Sequence, residues 1–261
     1  NVMFIARLDS ELPISKEVND LLNDDVKAGI RSGKYFYIPQ HNTWARNQYV
    51  VFLVAPTKND MIQSLYDKGE LVSEDFRKSY YKRLKERMFK RFENEELEQY
   101  LAKHYPFTLR LPPDYLLLDE SQEERYIWLR RLHPDRSLAV HWIPYNDTID
   151  ITYDWIVKQR NKLAEKIFHG DVVVEEESKL RELKFKRWQA KRLVGTWKNP
   201  ELVIGGPFRS TVFVDKKTNY IFMIDFYVRA IGQRKRPYID QLDVIAHTFR
   251  LATDKEEKTS L

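Results

Sequence analysis

The sequence predicts an α+β fold: two α/β halves with mainly antiparallel sheets packed by helices. Three observations carry this. Tyr220-Ile-Phe-Met-Ile-Asp-Phe-Tyr-Val228 is apolar on both alternating faces, as expected of a strand covered on both sides. Phe208–Val214 precedes it as a second strand, and the polar loop Lys216-Lys217-Thr218-Asn219 has a common hairpin length. After Pro237, which suits a first helical position, Tyr238, Leu242, Ile245, Ala246 and Phe249 recur at helical spacing. That helix is expected to pack across the hairpin's sheet.

The remaining elements follow in order. Val2–Leu8 reads as a strand, residues 10–33 as polar with short helical signals, and Tyr35–Ile38 as a short strand ended by Pro39. Gln48–Ala55 is a strong strand ended by Pro56. Asp60 caps a helix to about Asp67, interrupted by Gly69. The longest helix starts at Ser73, carries Phe76, Tyr80, Leu84, Met88 and Phe92 every four residues, and runs to about His104. Pro106 and Pro112-Pro113 bracket the short strand Phe107–Leu111. The break between the halves is placed here, giving 1–105, 106–253 and a polar, frayed tail at 254–261. Arg125–Leu132 and Ser137–Ile143 form a hairpin turned by Pro134-Asp135. A helix over Thr152–Phe168 buries Trp155, Ile156, Leu163, Ala164 and Ile167. Asp171–Glu177 and Leu180–Arg192 read as extended or short helical pieces, Val194–Lys198 as a strand, and Gly205-Gly206-Pro207 as a turn.

The 261 residues suffice for one large domain or two small ones, and 43% hydrophobic residues support a sizeable core. No apolar run approaches the roughly 18 residues of a membrane span. With 0 cysteines, disulfides, thiolate metal sites and a cysteine nucleophile are excluded within this chain. The net charge of +5, from 44 basic and 39 acidic residues, does not by itself argue nucleic-acid binding. The chain opens directly in a strand, so an upstream segment is expected.

No motif nominates a catalytic, cofactor-binding or metal-binding residue. The histidines at 41, 104, 133, 141, 169 and 247 show no helical zinc spacing, although His133 and His141 lie on one hairpin and are expected to approach each other. Asp225, a carboxylate inside an apolar strand, is either a structural hydrogen-bonding group or an acid–base residue with a raised pKa. Gly205-Gly206-Pro207 lacks the Lys-Ser/Thr of a phosphate loop. The basic run Arg77–Arg91 reads as a solvated face, with an anionic lipid surface, lipopolysaccharide or nucleic acid as the sharper alternatives. Arg234-Lys235-Arg236 sits before a helix N-terminus, where cations are unfavourable, which suits an anion or partner contact.

Gly195-x-Trp197-Lys198, Gly205-Gly206-Pro207-Phe208, the hairpin ending near Asp225-Phe-Tyr-Val228 and the Tyr238-x-x-Gln241-Leu242 helix resemble a known family. Trp44-Ala45-x-x-Gln48 and Pro112-Pro113-x-Tyr115 before the Trp128 strand fit the same pattern. The chain resembles the Bacteroidota lipoproteins grouped as domain of unknown function 4837, over nearly its whole length. The resemblance implies a secreted protein held in the cell envelope by a lipidated cysteine. That cysteine, and the family's first strand and helix, are not in this chain. A weaker similarity links the second half to the PsbP/Mog1-like sandwich, at the level of fold.

The resemblance therefore implies a non-enzymatic binding or scaffolding subunit of the envelope, outer-membrane-anchored. Its expected partner is another envelope protein or an outer-membrane complex, with membrane association through a lipid anchor outside the chain. No cofactor is expected and nucleic acid is disfavoured. Exposed tryptophans among Trp44, Trp128, Trp142, Trp155, Trp188 and Trp197 would mark the contact surface. The alternative is an envelope hydrolase or small-ligand-binding protein with a site between the halves, using Asp225 or His141.

Overall fold

The computed structural model describes residues 1–254; the rest of the expected tail, from 255 on, lies outside them. The chain divides into two compact units, Asn1–Glu86 and Arg87–Leu261. The division falls inside a helix and not at the proline step expected at 105/106.

The first unit contains β1 (Val2–Arg7), α1 (Pro13–Leu21), α2 (Asp24–Arg31), β2 (Tyr37–His41), β3 (Tyr49–Ala55) and most of α3 (Lys58–Phe89). Its sheet has the order β1-β3-β2, with β1 parallel and β2 antiparallel to β3. Every residue of β3 is buried, because its faces serve two cores. Val50, Phe52 and Val54 pack with Val18 of α1 and Ile30 of α2, whereas Val51 and Leu53 pack with Met61 and Val72 of α3.

The second unit contains α4 (Glu95–His104), β4 (Phe107–Thr108), β5 (Leu116–Ser121), β6 (Tyr126–Arg131), β7 (Asp135–Pro144) and α5 (Tyr153–Ile167). It continues with β8 (Val172–Phe185), β9 (Trp188–Asn199), β10 (Ile204–Asp215), β11 (Tyr220–Arg229), α6 (Arg236–Ala246) and β12 (Arg250–Leu251). Seven strands form one antiparallel sheet in the order β5-β6-β7-β11-β10-β9-β8. The double apolarity of β11 has the expected cause. Phe222, Ile224, Phe226 and Val228 pack with Leu242 and Ile245 of α6 and Leu101 of α4. Ile221, Met223 and Tyr227 pack with Ile156, Leu163 and Ile167 of α5. Burying these side chains supplies the main stabilisation, at roughly 1.5–3 kcal/mol for each fully buried large apolar group.

Several expectations are corrected. Residues 58–89 form one helix, not two, and it runs through Gly69. A helical glycine costs about 1 kcal/mol against alanine, which a helix of this length absorbs. Its start is a reciprocal cap in which the Thr57 hydroxyl accepts from the Asp60 N–H (3.3 Å) and Asp60 Oδ2 accepts from the Thr57 N–H (3.1 Å). The apolar stripe ends before Phe92, which is exposed, and Asn94 caps a separate α4 by accepting from the Leu97 N–H at 3.1 Å. Pro39 lies within β2 and not after it; β2 is an edge strand, where a missing N–H is tolerated. The expected strand over 107–111 shortens to β4, paired with the unforeseen β12, and β5 was also unforeseen.

The weak pieces at 171–177 and 180–192 are the long hairpin β8–β9, with a bulge between Val174 and Lys179. Gly205-Gly206-Pro207 is not a turn but part of β10, with Gly206 opposite Trp197. A Cβ on Gly206 would lie 2.1 Å from the Val228 carbonyl oxygen, so the glycine serves close packing.

Candidate functional site

Three connections meet at one end of the seven-stranded sheet. Arg229 ends β11 opposite Asp135, the first residue of β7, and Phe208 near the start of β10 pairs with Tyr227. Antiparallel pairing therefore gathers the β6–β7 turn (132–134), the β9–β10 turn (200–203) and the β11–α6 loop (230–235) at that end.

An open groove of about 600 Å³ lies there, lined by Arg130, Leu132, His133, Asp135, Arg229, Ile231 and Tyr238. A smaller cavity of about 60 Å³ adjoins it, walled by Trp128, Phe168, Trp197 and Tyr227 and sharing Arg130, Asp135 and Arg229. Arg130 is held by a two-pronged pair, donating from Nε to Asp135 Oδ1 at 2.8 Å and from Nη2 to Oδ2 at 2.7 Å. The Asp135 bonds raise the pKa of Arg130 further, against the cost of burial. Burial pushes the Tyr227 hydroxyl up to about 12. The Trp128 indole N–H donates to Ser137 at 3.2 Å, whereas the buried Trp197 indole N–H meets no protein acceptor. On the cavity wall, burial raises the Asp171 carboxyl, opposed by the Asn199 amide at 2.9 Å. Arginines, aromatic rings and a neutral phenol can bind and orient a ligand here. Asp135, tied to Arg130, is poorly placed to act as a base.

Asp225 lies elsewhere. It is 0% exposed beneath α5, where Arg160, also 0% exposed, approaches Oδ2 at 3.3 Å and Ser210 donates to the same oxygen. The guanidinium rests on the Phe208 ring, 4.4 Å from its centre. Burial raises the carboxyl above the usual range, while Arg160 and Ser210 pull it down. These partners are structural. His141 is well inside β7, and desolvation lowers its pKa to about 4. The approach expected between His133 and His141 does not occur. His133 sits in the turn, and Asp135 to His141 alone spans about 20 Å of strand at ~3.3 Å per residue. Neither Asp225 nor His141 lines the groove or the cavity. Among the described residues, no group of three or more His, Asp or Glu is placed to hold a metal ion.

The other sequence candidates separate as follows. In the Arg77–Arg91 run, Arg77 and Lys78 pair with Glu74 and Asp75 along the helix, as on a solvated face. Arg236 pairs with Asp240 at 2.9 Å, and Arg234 is exposed beside the groove's loop. Of the tryptophans, Trp128, Trp142, Trp188 and Trp197 are buried, Trp155 is half-buried, and Trp44 is 58% exposed. Sequence reasoning missed Arg160 and Arg229. Arg160 carried a signal: it occupies a position in register with Ile156, Leu163, Ala164 and Ile167 on the buried face of α5.

No helix among the described residues is long and apolar enough to cross a membrane. No curated protein matches the chain. Similar solved structures include the Saccharomyces cerevisiae Ran-binding protein Mog1p, 13% identical, covering 56% of this chain and 90% of that one at a TM-score of 0.39. LpqN, described as involved in cell envelope biogenesis of Mycobacterium tuberculosis, is 14% identical over 55% of this chain and 81% of its own, with a TM-score of 0.35. A protein from Bacteroides thetaiotaomicron is 12% identical over 58% of this chain and 46% of its own, with a TM-score of 0.34. The model of the family described as Domain of unknown function (DUF4837) matches residues 94–248, from the cap of α4 through α6, and takes in the whole seven-stranded sheet. The chain belongs to that family.

Proposed function

We propose that this protein is a non-enzymatic cell-envelope lipoprotein that acts as a binding or scaffolding subunit, with another envelope protein or an outer-membrane complex as its partner. The observation that carries this reading is an exposed apolar and aromatic surface on the first unit, formed by Met3, Ile5 and Trp44. Arg7, in phase with Met3 and Ile5, turns its backbone outward to α1: its N–H reaches Ser15 Oγ at 3.4 Å and its carbonyl accepts from Asn19 at 3.2 Å. The side chains of Met3 and Ile5 are exposed. Trp44, edge-on to Phe4 at 5.6 Å, supplies a large exposed aromatic surface nearby.

The edge strands β2, β5 and β8 are guarded against strand addition. Pro39 lies in β2; Asp119 and Glu120 lie in β5; Glu175, Glu176, Glu177, Lys179, Arg181, Glu182 and Lys184 lie in β8. Charges and proline on an edge discourage strand addition. Met3, Ile5 and Trp44 instead offer apolar and aromatic surface, which suits a partner that packs on exposed apolar groups. The family membership supports the envelope location, and the structural partners of Asp225 favour binding over chemistry.

A photo-crosslinking amino acid at Ile5 tests the reading in native cells. The expected result is one dominant adduct with an envelope protein, absent when the probe replaces buried Val72. No adduct at Ile5 or Trp44 would refute the role of this surface.

A further inference from the structure

We infer that the end of the large sheet carrying the groove docks on an anionic lipid surface. Its three connections each raise an apolar side chain into solvent: Leu132 is 53% exposed, Leu202 54%, Val203 90% and Ile231 76%. Large apolar groups at the tips of turns are costly in water, and four at one end of a sheet form a patch and not scattered exposure. The strand order β6-β7-β11-β10-β9 sets these connections side by side, within about 20 Å at ~4.8 Å per strand.

Basic groups flank the tips. Arg229 borders both cavities, and Arg234 and Lys235 follow Ile231 in the same loop. Carboxylates nearby are largely neutralised: Asp135 by Arg130, Asp114 by Arg131, and Asp240 by Arg209 and Arg236. Glu201 stands against them, exposed on the β9–β10 turn. Apolar tips flanked by cations match a bilayer whose headgroups are anionic. The tips enter the headgroup–acyl boundary and the cations meet phosphates, with the open groove beside Arg229 and Arg130 large enough for a headgroup.

The test is sedimentation of the chain with phosphatidylcholine vesicles, with and without phosphatidylglycerol, at low and high salt. The expected result is binding to the phosphatidylglycerol vesicles that falls with salt. The double variant Arg229→Glu/Arg234→Glu and the double variant Leu202→Ser/Ile231→Ser should each bind about tenfold more weakly, in line with the modest worth of each surface cation and apolar tip. Three of these four residues are exposed and the fourth is partly so, and thermal unfolding of each variant should match the parent. Absence of vesicle binding at low salt, or unchanged binding in both variants, would overturn the inference. So would capture of an envelope protein by this end with no vesicle association. The β1 variants Met3→Lys and Ile5→Lys should retain vesicle binding, so failure here is distinguishable from failure of the scaffolding role.

Discussion

Arg160 and Asp225 form an ion pair that no water-exposed atom relieves: Nε lies 3.3 Å from Oδ2 and both side chains are 0% exposed. The pair joins α5 to the centre of the sheet, and the Ser210 hydroxyl from β10 completes it. Breaking such a pair leaves a buried charge without its counter-charge, which typically costs 3–5 kcal/mol, whereas replacing both partners by apolar groups is often neutral. Asp225→Ala is therefore expected to lose about 3–5 kcal/mol. Arg160→Met with Asp225→Leu should regain most of it. Denaturant unfolding of the single and double variants checks this; a double variant as unstable as Asp225→Ala would contradict it.

His141 gives the protein a mildly acid-sensitive stability. Desolvation first, then Lys162, Lys166 and Arg125, lower its pKa to about 4 from an ordinary value of 6.5. The unfolded chain then binds the extra proton between these values, so stability is lost as pH falls from about 6.5 to about 4. The expected loss is on the order of 2 kcal/mol after allowance for partial solvent contact. His141→Gln should flatten the stability profile in this window, as measured by urea unfolding from pH 7 to 4.

Asp243 acts at lower pH. Burial works to raise its pKa, but His247, Arg192 and Arg209 outweigh burial and hold the carboxyl well below the usual range. Arg209 donates to it at 2.7 Å and Arg192 lies 3.1 Å away, linking α6 to β10 and β9. A depressed carboxylate contributes stability that is present above its unfolded pKa, near 4, and is lost as pH falls through the folded value. Asp243→Asn should be destabilised at neutral pH and should lose less additional stability than the parent between pH 4 and 2.

Gly206 marks where β10 comes too close to β11 for a side chain. A methyl group there would sit 2.1 Å from the Val228 oxygen and 3.2 Å from the Trp197 indole nitrogen, which leaves no room for alanine. Gly206→Ala should cost more than about 2 kcal/mol, as other overpacked core sites do, whereas Gly69→Ala in open space on α3 should stabilise by up to about 1 kcal/mol. Thermal melts of the two variants should move in opposite directions.

The parts of this fold legible in the sequence are those where burial and period coincide. Two-sided burial of β11 and the stripe of α6 both followed from side-chain spacing, because each face meets a different core. The β8–β9 hairpin was obscure because β8 is an edge strand whose many charges face water, so its alternation carries little apolar signal. The glycines of β10 imitated a turn, since close backbone approach and a tight bend both select against a side chain. The groove was not legible at all. It depends on antiparallel register bringing residues 130–135, 229–231 and 238 together, and no local pattern encodes that pairing.

On the proposed reading, this protein binds an envelope partner through the exposed Met3, Ile5 and Trp44 surface. Mild-detergent purification of the full-length protein from its native membranes, in parallel with the Met3→Lys/Ile5→Lys variant, tests it most directly, with co-purifying proteins quantified by mass spectrometry. The expected result is a stoichiometric envelope protein with the parent that is depleted at least about tenfold with the variant, since two cations on an apolar contact surface oppose its burial. The same partner retained in full by the variant, or a parent recovered alone, would contradict it.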